Sequence, residues 1–287
     1  MCVGGAPLLT PDRGGSFNAY LRYDAARAGV RKGAGQGGGV TPLVLHLPHA
    51  SDLIPEGERA DFKVSEEVLL RERLRLTDWH TDGLFARGAD PEDVIAAEVS
   101  RLVVDVERFE DDAREPCARV GMGVTYALTT DGLMLRDLSP GRREALIAAY
   151  YRPHHRRLDE AARERLTRFG RCLVLDAHSF PSRALPTQTC FDDPPEIGLG
   201  TEPGHTPPGL LDRAERFFRA RGFKVGVNVP FAGAMVPSAF LGRDGRVSAL
   251  MVEVRRDLYL DESTGLPHAG FVRIREVLTD LRAELSA

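Results

Sequence analysis

Cysteine is scarce in this sequence, and its few occurrences are not spaced as pairs. The four cysteines, Cys2, Cys117, Cys172 and Cys190, form no C-x-x-C motif, so neither a sulfur-rich zinc site nor a disulfide framework is indicated. Cys172 lies within an apolar run and is interpreted as a small core residue rather than a catalytic thiol.

Long apolar runs are absent as well. No stretch approaches the roughly 18 consecutive apolar residues that are needed to span a bilayer. Residues 1–40 lack the basic start and the apolar run of a secretory signal, and they are rich in Gly and Ala instead. We therefore expect no membrane partner and a cytoplasmic location.

Basic residues are not in excess either. The chain has 38 lysines and arginines against 42 aspartates and glutamates, a formal net charge of -4, so it lacks the positive field that binds nucleic acid phosphates. Its hydrophobic fraction of 43% and its charged fraction of 28% are those of an ordinary globular protein. A nucleic acid partner is therefore not expected.

The domain organisation follows from one glycine-rich stretch. Residues 29–39 carry repeated glycine, and such a composition cannot bury enough apolar surface to order itself. We interpret residues 1–40 as a flexible N-terminal segment. Residues 41–287 are expected to form a single domain, because α/β folds with one continuous sheet reach this size without splitting.

Short runs rich in Val and Leu alternate with longer segments of helical periodicity. This alternation predicts an α/β fold with a mixed β-sheet flanked by helices. The predicted strands are residues 43–47, 102–106, 172–176, 223–229 and 247–254, and the predicted helices are residues 78–86 (capped by Thr77), 142–169, 208–221 and 271–285.

Two histidines lie at the ends of predicted strands, where α/β sheets bind ligands. His49 comes after the first strand and His178 after a later one. Two imidazoles and one carboxylate make a zinc site that keeps a position open for water. The third ligand stays open between Asp52, three residues after His49, and Asp78 or Asp82, which the predicted short helix places on one face.

Charged residues in or beside two other predicted strands add to this candidate site. Glu253 lies in an otherwise apolar strand, and a buried carboxylate is costly unless it is paired, neutral or functional. A raised pKa would suit Glu253 as a general base. Arg101 and Arg108 flank the strand predicted at 102–106, and the planar fork of arginine suits bidentate capture of a carboxylate.

Several short motifs follow one another in a fixed order along the chain. They are Pro48-His49-Ala50, Thr77-Asp78-Trp79-His80, Ser100-Arg101 to Arg108, Asp176-Ala177-His178-Ser179, Gly198-Leu199-Gly200-Thr201, Phe231 to Pro237 and Glu253 to Glu262. This ordered set resembles the N-formylglutamate amidohydrolase family, and the resemblance covers residues 43–265. The family is distantly similar to zinc carboxypeptidases, which implies a three-layer α/β architecture.

The resemblance implies a role for each matching residue. The acidic ligand is Asp78 by the family analogy, whereas the carboxypeptidase spacing favours Asp52, so that choice stays open. The implied roles are zinc ligation by His49, Asp78 and His178, base catalysis by Glu253, oxyanion stabilisation by Arg101, carboxylate binding by Arg108, and substrate binding by the loop residues Gly200 and Thr201.

Two residues depart from the family pattern. Glu107 stands where the family's Asp-x-Asn-Arg element has Asn, and a carboxylate there would repel an acidic ligand. Either Glu107 pairs with Arg101 or Arg108, or the substrate is less anionic than formylglutamate. Arg255 stands where relatives usually have Asn, and its positive charge could restore affinity for an acidic group.

The implied reaction is zinc-dependent hydrolysis of the amide bond of an N-formyl or other small N-acyl amino acid, which releases formate and a free amine. One alternative is a zinc carboxypeptidase or deacylase that acts on larger peptides or acylated molecules. Another is a catalytically silent small-molecule-binding protein on the same fold. The presence of His49, His178 and Glu253 argues against the silent protein.

Overall fold

The computed structural model describes residues 40–187 and 193–286. The segment predicted to be flexible, residues 1–40, lies outside the described residues except for Val40. Cys2 and Cys190 also lie outside them. Cys172 is buried in the core, and burial raises the pKa of its thiol to about 12, so its interpretation as a core residue is confirmed.

A six-stranded mixed sheet forms the centre of the fold, as predicted. Its strands are β1 (Leu43–Leu47), β2 (Val94–Ala96), β3 (Cys172–Phe180), β4 (Ile197–Gly200), β5 (Val225–Val227) and β6 (Val247–Arg255). Their order across the sheet is β2-β1-β3-β6-β4-β5. β1, β2, β3 and β6 run parallel, whereas β4 runs antiparallel to β6 and parallel to β5. A two-stranded ribbon of β7 (Leu260–Asp261) and β8 (Leu266–Pro267) follows.

Helices cover both faces of this sheet. They are α1 (Glu56–Arg59), α2 (Glu66–Leu76), α3 (Thr81–Phe85), α4 (Pro140–Leu146), α5 (Arg152–Phe169), α6 (Pro208–Arg219) and α7 (Gly270–Ser286). A π-helical turn (Ile147–Tyr151) joins α4 to α5, and a 3-10 turn (Arg256–Leu258) follows β6. α3, α6 and α7 pack on one face and α5 on the other. Over the described ranges, none of the helices has the length and apolarity needed to cross a membrane.

The central strands are buried on both faces because their alternate side chains enter two different cores. Leu173 and Leu175 of β3 pack towards α3, α6 and α7, whereas Cys172 and Val174 pack towards α5. A parallel strand covered on both sides has an almost continuous apolar sequence. This arrangement explains why the ends of β3 and β6 are the first places where polar side chains can appear.

The strand predicted at 102–106 is wrong. This segment forms turns, and the amides of Val103 and Val104 both donate to the carbonyl oxygen of Ser100. Its side chains are nevertheless buried in a core of their own beside the sheet. An apolar run indicates that a segment is buried, but it does not indicate which backbone groups the segment bonds. It therefore cannot distinguish a strand from a buried turn.

The helix predicted at 78–86 begins later than expected. Thr77 ends α2, and α3 starts only at Thr81, after His80 with a positive φ of 65°. Asp78 therefore lies in the turn between the two helices, where its amide donates to the carbonyl oxygen of His49. Asp82 is exposed on α3. The prediction that both acids share one helix face is wrong.

Candidate metal and active site

The parallel strands end together at one edge of the sheet, and the candidate residues meet there. His46 of β1 pairs in register with Asp176 of β3, and His178 of β3 pairs with Glu253 of β6. The pocket at this edge has a volume of about 200 Å³. The described residues that line it include the predicted residues His49, Asp78, Arg101, Arg108, His178 and Glu253.

His49 is held by one ring nitrogen and leaves the other without a partner. Its Nε2 lies 2.8 Å from Oδ1 of Asp105, which fixes the ring. Its Nδ1 is buried and has no hydrogen-bond partner among the described residues. The nearest acidic oxygen to Nδ1 is Oδ2 of Asp78, at 3.7 Å. A buried nitrogen without a partner is the sign of a missing ligand.

His178 repeats this arrangement from the neighbouring strand. Its Nε2 lies 3.1 Å from Oδ1 of Asp176, and its Nδ1 lies 3.1 Å from Oδ2 of Asp78. Both Nδ1 atoms therefore converge on one carboxylate oxygen. Donor atoms around a tetrahedral zinc ion lie roughly 3.3 Å apart, because each is about 2.0–2.2 Å from the metal. The distances from Asp78 Oδ2 to the two Nδ1 atoms, 3.1 and 3.7 Å, are close to this separation.

The carboxylate of Asp105, bonded to Nε2 of His49, sets which nitrogen of that ring faces the pocket. Asp105 is buried and accepts hydrogen bonds from Arg101 and from the hydroxyl of Tyr126 as well as from His49. Burial raises the pKa of Asp105, but the charges of Arg101, His49 and Arg108 outweigh it and lower that pKa well below its usual value. An ionised carboxylate on Nε2 keeps the proton there and leaves Nδ1 free to bind a metal.

Asp78 is oriented by two donors besides the histidines. Its Oδ1 accepts from Nη2 of Arg256 at 2.9 Å, and its Oδ2 accepts from the backbone amide of Ser179 at 3.2 Å. Burial raises the pKa of Asp78, but the hydrogen bonds from His178 and His49 and the charge of Arg256 outweigh it and lower that pKa far below its usual value. The carboxylate is ionised and ready to bind a cation.

The other two acids predicted as possible ligands lie elsewhere. Asp52 pairs with Arg73 at 2.6 Å, and Asp82 is exposed on α3. Neither is among the described residues that line the pocket. The spacing argument for Asp52 fails because the chain after His49 turns away from the sheet edge, whereas the turn at Asp78 is bound to the end of β1 through the His49 carbonyl oxygen.

Glu107 is a further acid that the sequence did not suggest as a ligand. Its Oε2 lies 3.2 Å from Nε2 of His178, and donor atoms of His49, Glu107 and His178 all lie within 4.8 Å of one another. It also lies 3.7 Å from Nδ1 of His46. Burial opposes protonation of His178, but Glu107 and Asp176 raise its pKa well above its usual value. Glu107 contacts the side of the ring opposite to Asp78.

Within the part of the chain that the structure describes, Glu253 is a buried acid with an unbonded carboxyl oxygen. It is 6% exposed, and its Oε2 has no hydrogen-bond partner among the described residues. Burial raises its pKa to about 8. Gly198 of β4 lies opposite, and a Cβ there would come within 3.2 Å of the Glu253 Cβ. The absent side chain of Gly198 leaves room for this carboxyl group between the strands.

The raised pKa of Glu253 predicts a pH-dependent stability of the metal-free protein. Between about pH 4.3 and 8 the unfolded state ionises this group while the folded state keeps it protonated. Unfolding then releases a proton, so stability is lost as the pH rises through this window, by roughly 1.4 kcal/mol per pH unit at most. The Tm of Glu253→Gln should therefore rise relative to wild type from pH 5 to 8. Parallel Tm curves for the two proteins would contradict this.

Of the three arginines predicted to act in the site, Arg101 and Arg108 line the pocket and Arg255 does not. Arg101 is anchored, with its Nη2 2.8 Å from Oδ2 of Asp105. The Nε of Arg108 is buried without a hydrogen-bond partner among the described residues, and its contact with Asp105 is long, at 3.7 Å. Arg255 lies outside the pocket, where its Nε donates to Asp257 at 2.7 Å and its Nη1 to the carbonyl oxygen of Pro194.

Arg256 is the pocket residue that sequence reasoning missed. It follows Arg255 in the 3-10 turn after β6, and it bonds Asp78, the side chain of Ser179 and the carbonyl oxygen of Arg75. Two adjacent arginines after a strand cannot be told apart in sequence. The turn decides which of them faces the pocket.

The substrate-binding residues predicted at the end of β4, Gly200 and Thr201, do not line the pocket. A Cβ on Gly200 would lie 2.1 Å from the carbonyl oxygen of Gly233, so this glycine allows the segment containing Phe231 and Ala232 to approach the sheet. The amide and hydroxyl of Thr201 bond the side chain of Asn228. Gly200 supports the wall of the pocket, and Thr201 stabilises a neighbouring loop.

The family model of N-formylglutamate amidohydrolase matches residues 41–260 of this chain. Two similar proteins are named N-formylglutamate deformylase. The protein of Pseudomonas aeruginosa is 29% identical over 260 residues, which cover 85% of this chain and 94% of that protein. The protein of Pseudomonas putida is 29% identical over 233 residues, which cover 78% and 84%.

Solved structures agree with this match. The crystal structure of N-formylglutamate amidohydrolase from Ralstonia eutropha JMP134 has a TM-score of 0.72 and 27% identity, over 87% of this chain and 94% of that one. A gene product of Agrobacterium tumefaciens, with a TM-score of 0.59 and 20% identity over 86% and 92%, supports the fold alone. Because the matched residues include the whole sheet and every candidate residue of the pocket, the chain belongs to the N-formylglutamate amidohydrolase family, a family of hydrolases.

Proposed function

We propose that this protein is a zinc-dependent amidohydrolase that removes a formyl or other small acyl group from the nitrogen of an amino acid. The observation that carries the proposal is the convergence of two imidazole Nδ1 atoms on Asp78 beside the buried carboxyl group of Glu253. The names of the two Pseudomonas relatives support an N-formyl amino acid as the substrate.

His49, Asp78 and His178 would hold the metal. Two imidazole nitrogens and one carboxylate oxygen form a donor set of catalytic zinc sites, and the orphaned Nδ1 of His49 fits that use. Zinc bound there would polarise the carbonyl group and lower the pKa of water. In this proposal Glu107 does not bind the metal but orients the ligand His178, because it contacts Nε2 of that ring and not Nδ1.

Glu253 would move the proton. Its carboxylate takes a proton from the attacking water as the new C–O bond forms, and it returns that proton to the leaving nitrogen as the C–N bond breaks. The products of a formylated substrate are formate and the free amine. Burial, which raises the pKa of Glu253 to about 8, makes its protonated form a competent acid for the second step.

The two arginines would act on different parts of the substrate. Arg101 is held along its Nε and Nη2 edge by Asp105 and Tyr126. Its Nη1, with one long contact of 3.5 Å to the carbonyl oxygen of Leu76, would donate to the oxyanion. Arg108 has a free guanidinium edge in the pocket. It suits bidentate capture of the amino acid carboxylate.

Replacement of Arg108 is expected to weaken substrate binding, whereas replacement of Arg255 is not. Arg108→Ala should lower kcat/KM by about 10²-fold, mainly through KM, because a charged hydrogen-bonded pair is lost. Arg255→Ala should stay within about twofold of wild type, since Arg255 lies outside the pocket. Steady-state kinetics would measure both. Equal losses in the two variants would show that carboxylate binding is placed incorrectly.

Formate release tests the proposal as a whole. Zinc-loaded protein would be incubated with N-formyl amino acids, and formate and free amine would be quantified together. The proposal expects the two products in equal amounts. Failure of the metal-loaded protein to release formate from every N-formyl amino acid tested would refute it.

A second candidate function is deacylation of larger acylated molecules. A cavity of about 870 Å³ adjoins the pocket and shares Arg75, Pro181, Leu185 and Arg256 with it. A long acyl group could extend into that space. A series of substrates graded from formyl to hexanoyl distinguishes the two functions, because a deformylase loses activity as the acyl group grows.

A further inference from the structure

Most of the positive charge around the pocket is already neutralised. Arg101 and Arg256 are paired with carboxylates, as described above, and Nη1 of Arg75 lies 2.7 Å from Oδ2 of Asp131. Among the described residues that line the pocket, Arg108 is the arginine without a close carboxylate partner. The pocket therefore offers one guanidinium group whose contact with a carboxylate, Asp105 at 3.7 Å, is long, and this group can bind one substrate carboxylate.

A second substrate carboxylate would meet an acid instead of a cation. Glu107 lines the pocket with 14% of its side chain exposed. Arg255, the residue that could have offset this charge, is turned towards Asp257 and the carbonyl oxygen of Pro194. Like charges at short range in a partly buried pocket disfavour binding. The electrostatics therefore select against substrates with an acidic side chain.

One part of the pocket wall is apolar. The rings of Phe180 and Phe231 lie edge to face with centroids 6.3 Å apart. Burial of a carboxylate against such a surface without a hydrogen-bond partner is costly, whereas burial of an aliphatic group is favourable. The apolar lining residues are Leu76, Met122, Phe180, Pro181, Leu185, Phe231, Ala232 and Met251.

From these observations, and resting on the proposed function, we infer that the preferred substrate is the N-formyl derivative of an amino acid with one carboxylate and an apolar side chain. Arg108 binds the single carboxylate, and the apolar wall receives the side chain. The pocket volume of about 200 Å³ is enough for a free amino acid derivative of this kind.

Kinetics on a matched panel test this inference. Zinc-loaded enzyme would be assayed with the N-formyl derivatives of leucine, methionine, glutamine and glutamate. Leucine and methionine should exceed glutamate in kcat/KM by about tenfold or more, with glutamine, the neutral match of glutamate, in between. Glutamate equal to or better than leucine overturns this inference and leaves the proposed function intact. Absence of formate from all four substrates overturns both.

A variant of the wall gives an independent readout. Phe231→Ala should lower kcat/KM for N-formyl-leucine by about tenfold and for N-formyl-alanine by clearly less, because the larger side chain has more apolar surface to bury against the ring. Phe169→Ala, at the exposed end of α5, is the matched control and should change neither. Equal losses on both substrates in Phe231→Ala would overturn the assignment of the wall to side-chain binding.

Discussion

Glu253→Gln is expected to lower kcat by about 10²–10⁴-fold while the metal content stays at the wild-type level. The amide occupies the same space between β6 and Gly198 but cannot accept the proton of water. Because Glu253 is not one of the three residues proposed to hold the metal, its replacement leaves that set unchanged. A loss of activity without a loss of metal therefore identifies a group that moves protons.

The pH profile provides the control for this result. A base must be deprotonated to act, so wild-type kcat/KM should rise with pH as Glu253 loses its proton. The residual activity of Glu253→Gln should not show this rise of kcat/KM with pH. Glu98→Gln, which changes an exposed carboxylate away from the pocket, should keep both the wild-type rate and the rise with pH. Full turnover in Glu253→Gln would remove Glu253 from the mechanism.

His178→Ala should lose its bound zinc almost completely, whereas the wild-type protein should contain close to one equivalent. Removal of one of three ligands leaves a site of two donors, which is too few to retain the ion against dialysis. Elemental analysis of the purified proteins measures this directly. His268→Ala, an exposed histidine outside the pocket, is the matched control and should bind zinc like the wild type.

The acidic ligand can be identified in the same experiment. Asp78→Asn should lose zinc as His178→Ala does, because Asp78 faces both Nδ1 atoms. Glu107→Gln should weaken binding by only about 10–100-fold, the usual cost of a change behind the ligands. The reverse order would make Glu107 the ligand. Failure of the wild-type protein to bind any divalent metal after reconstitution would instead favour a binding protein.

Local sequence patterns predicted much of the framework. β1, β3 and β6 and the long helices are confirmed close to their predicted bounds, because buried strands and amphipathic helices have distinct periodicities. β2 and β4 were not predicted, because strands of three and four residues are too short to show an alternation of apolar and polar side chains. The turn at 102–106 was mistaken for a strand because burial alone makes a segment apolar.

The sequence alone determined that this protein has an α/β sheet, with histidines at the ends of two strands and a carboxylate within a third. These features depend on residue type and on periodicity along the chain. Only the tertiary structure decided that Asp78 rather than Asp52 faces both histidines, that Arg256 rather than Arg255 reaches the pocket, and that Glu107 lies beside His178. Such choices depend on the turns that follow each strand. Those turns are set by contacts between residues far apart in sequence, such as the bond from the Asp78 amide to the His49 carbonyl oxygen.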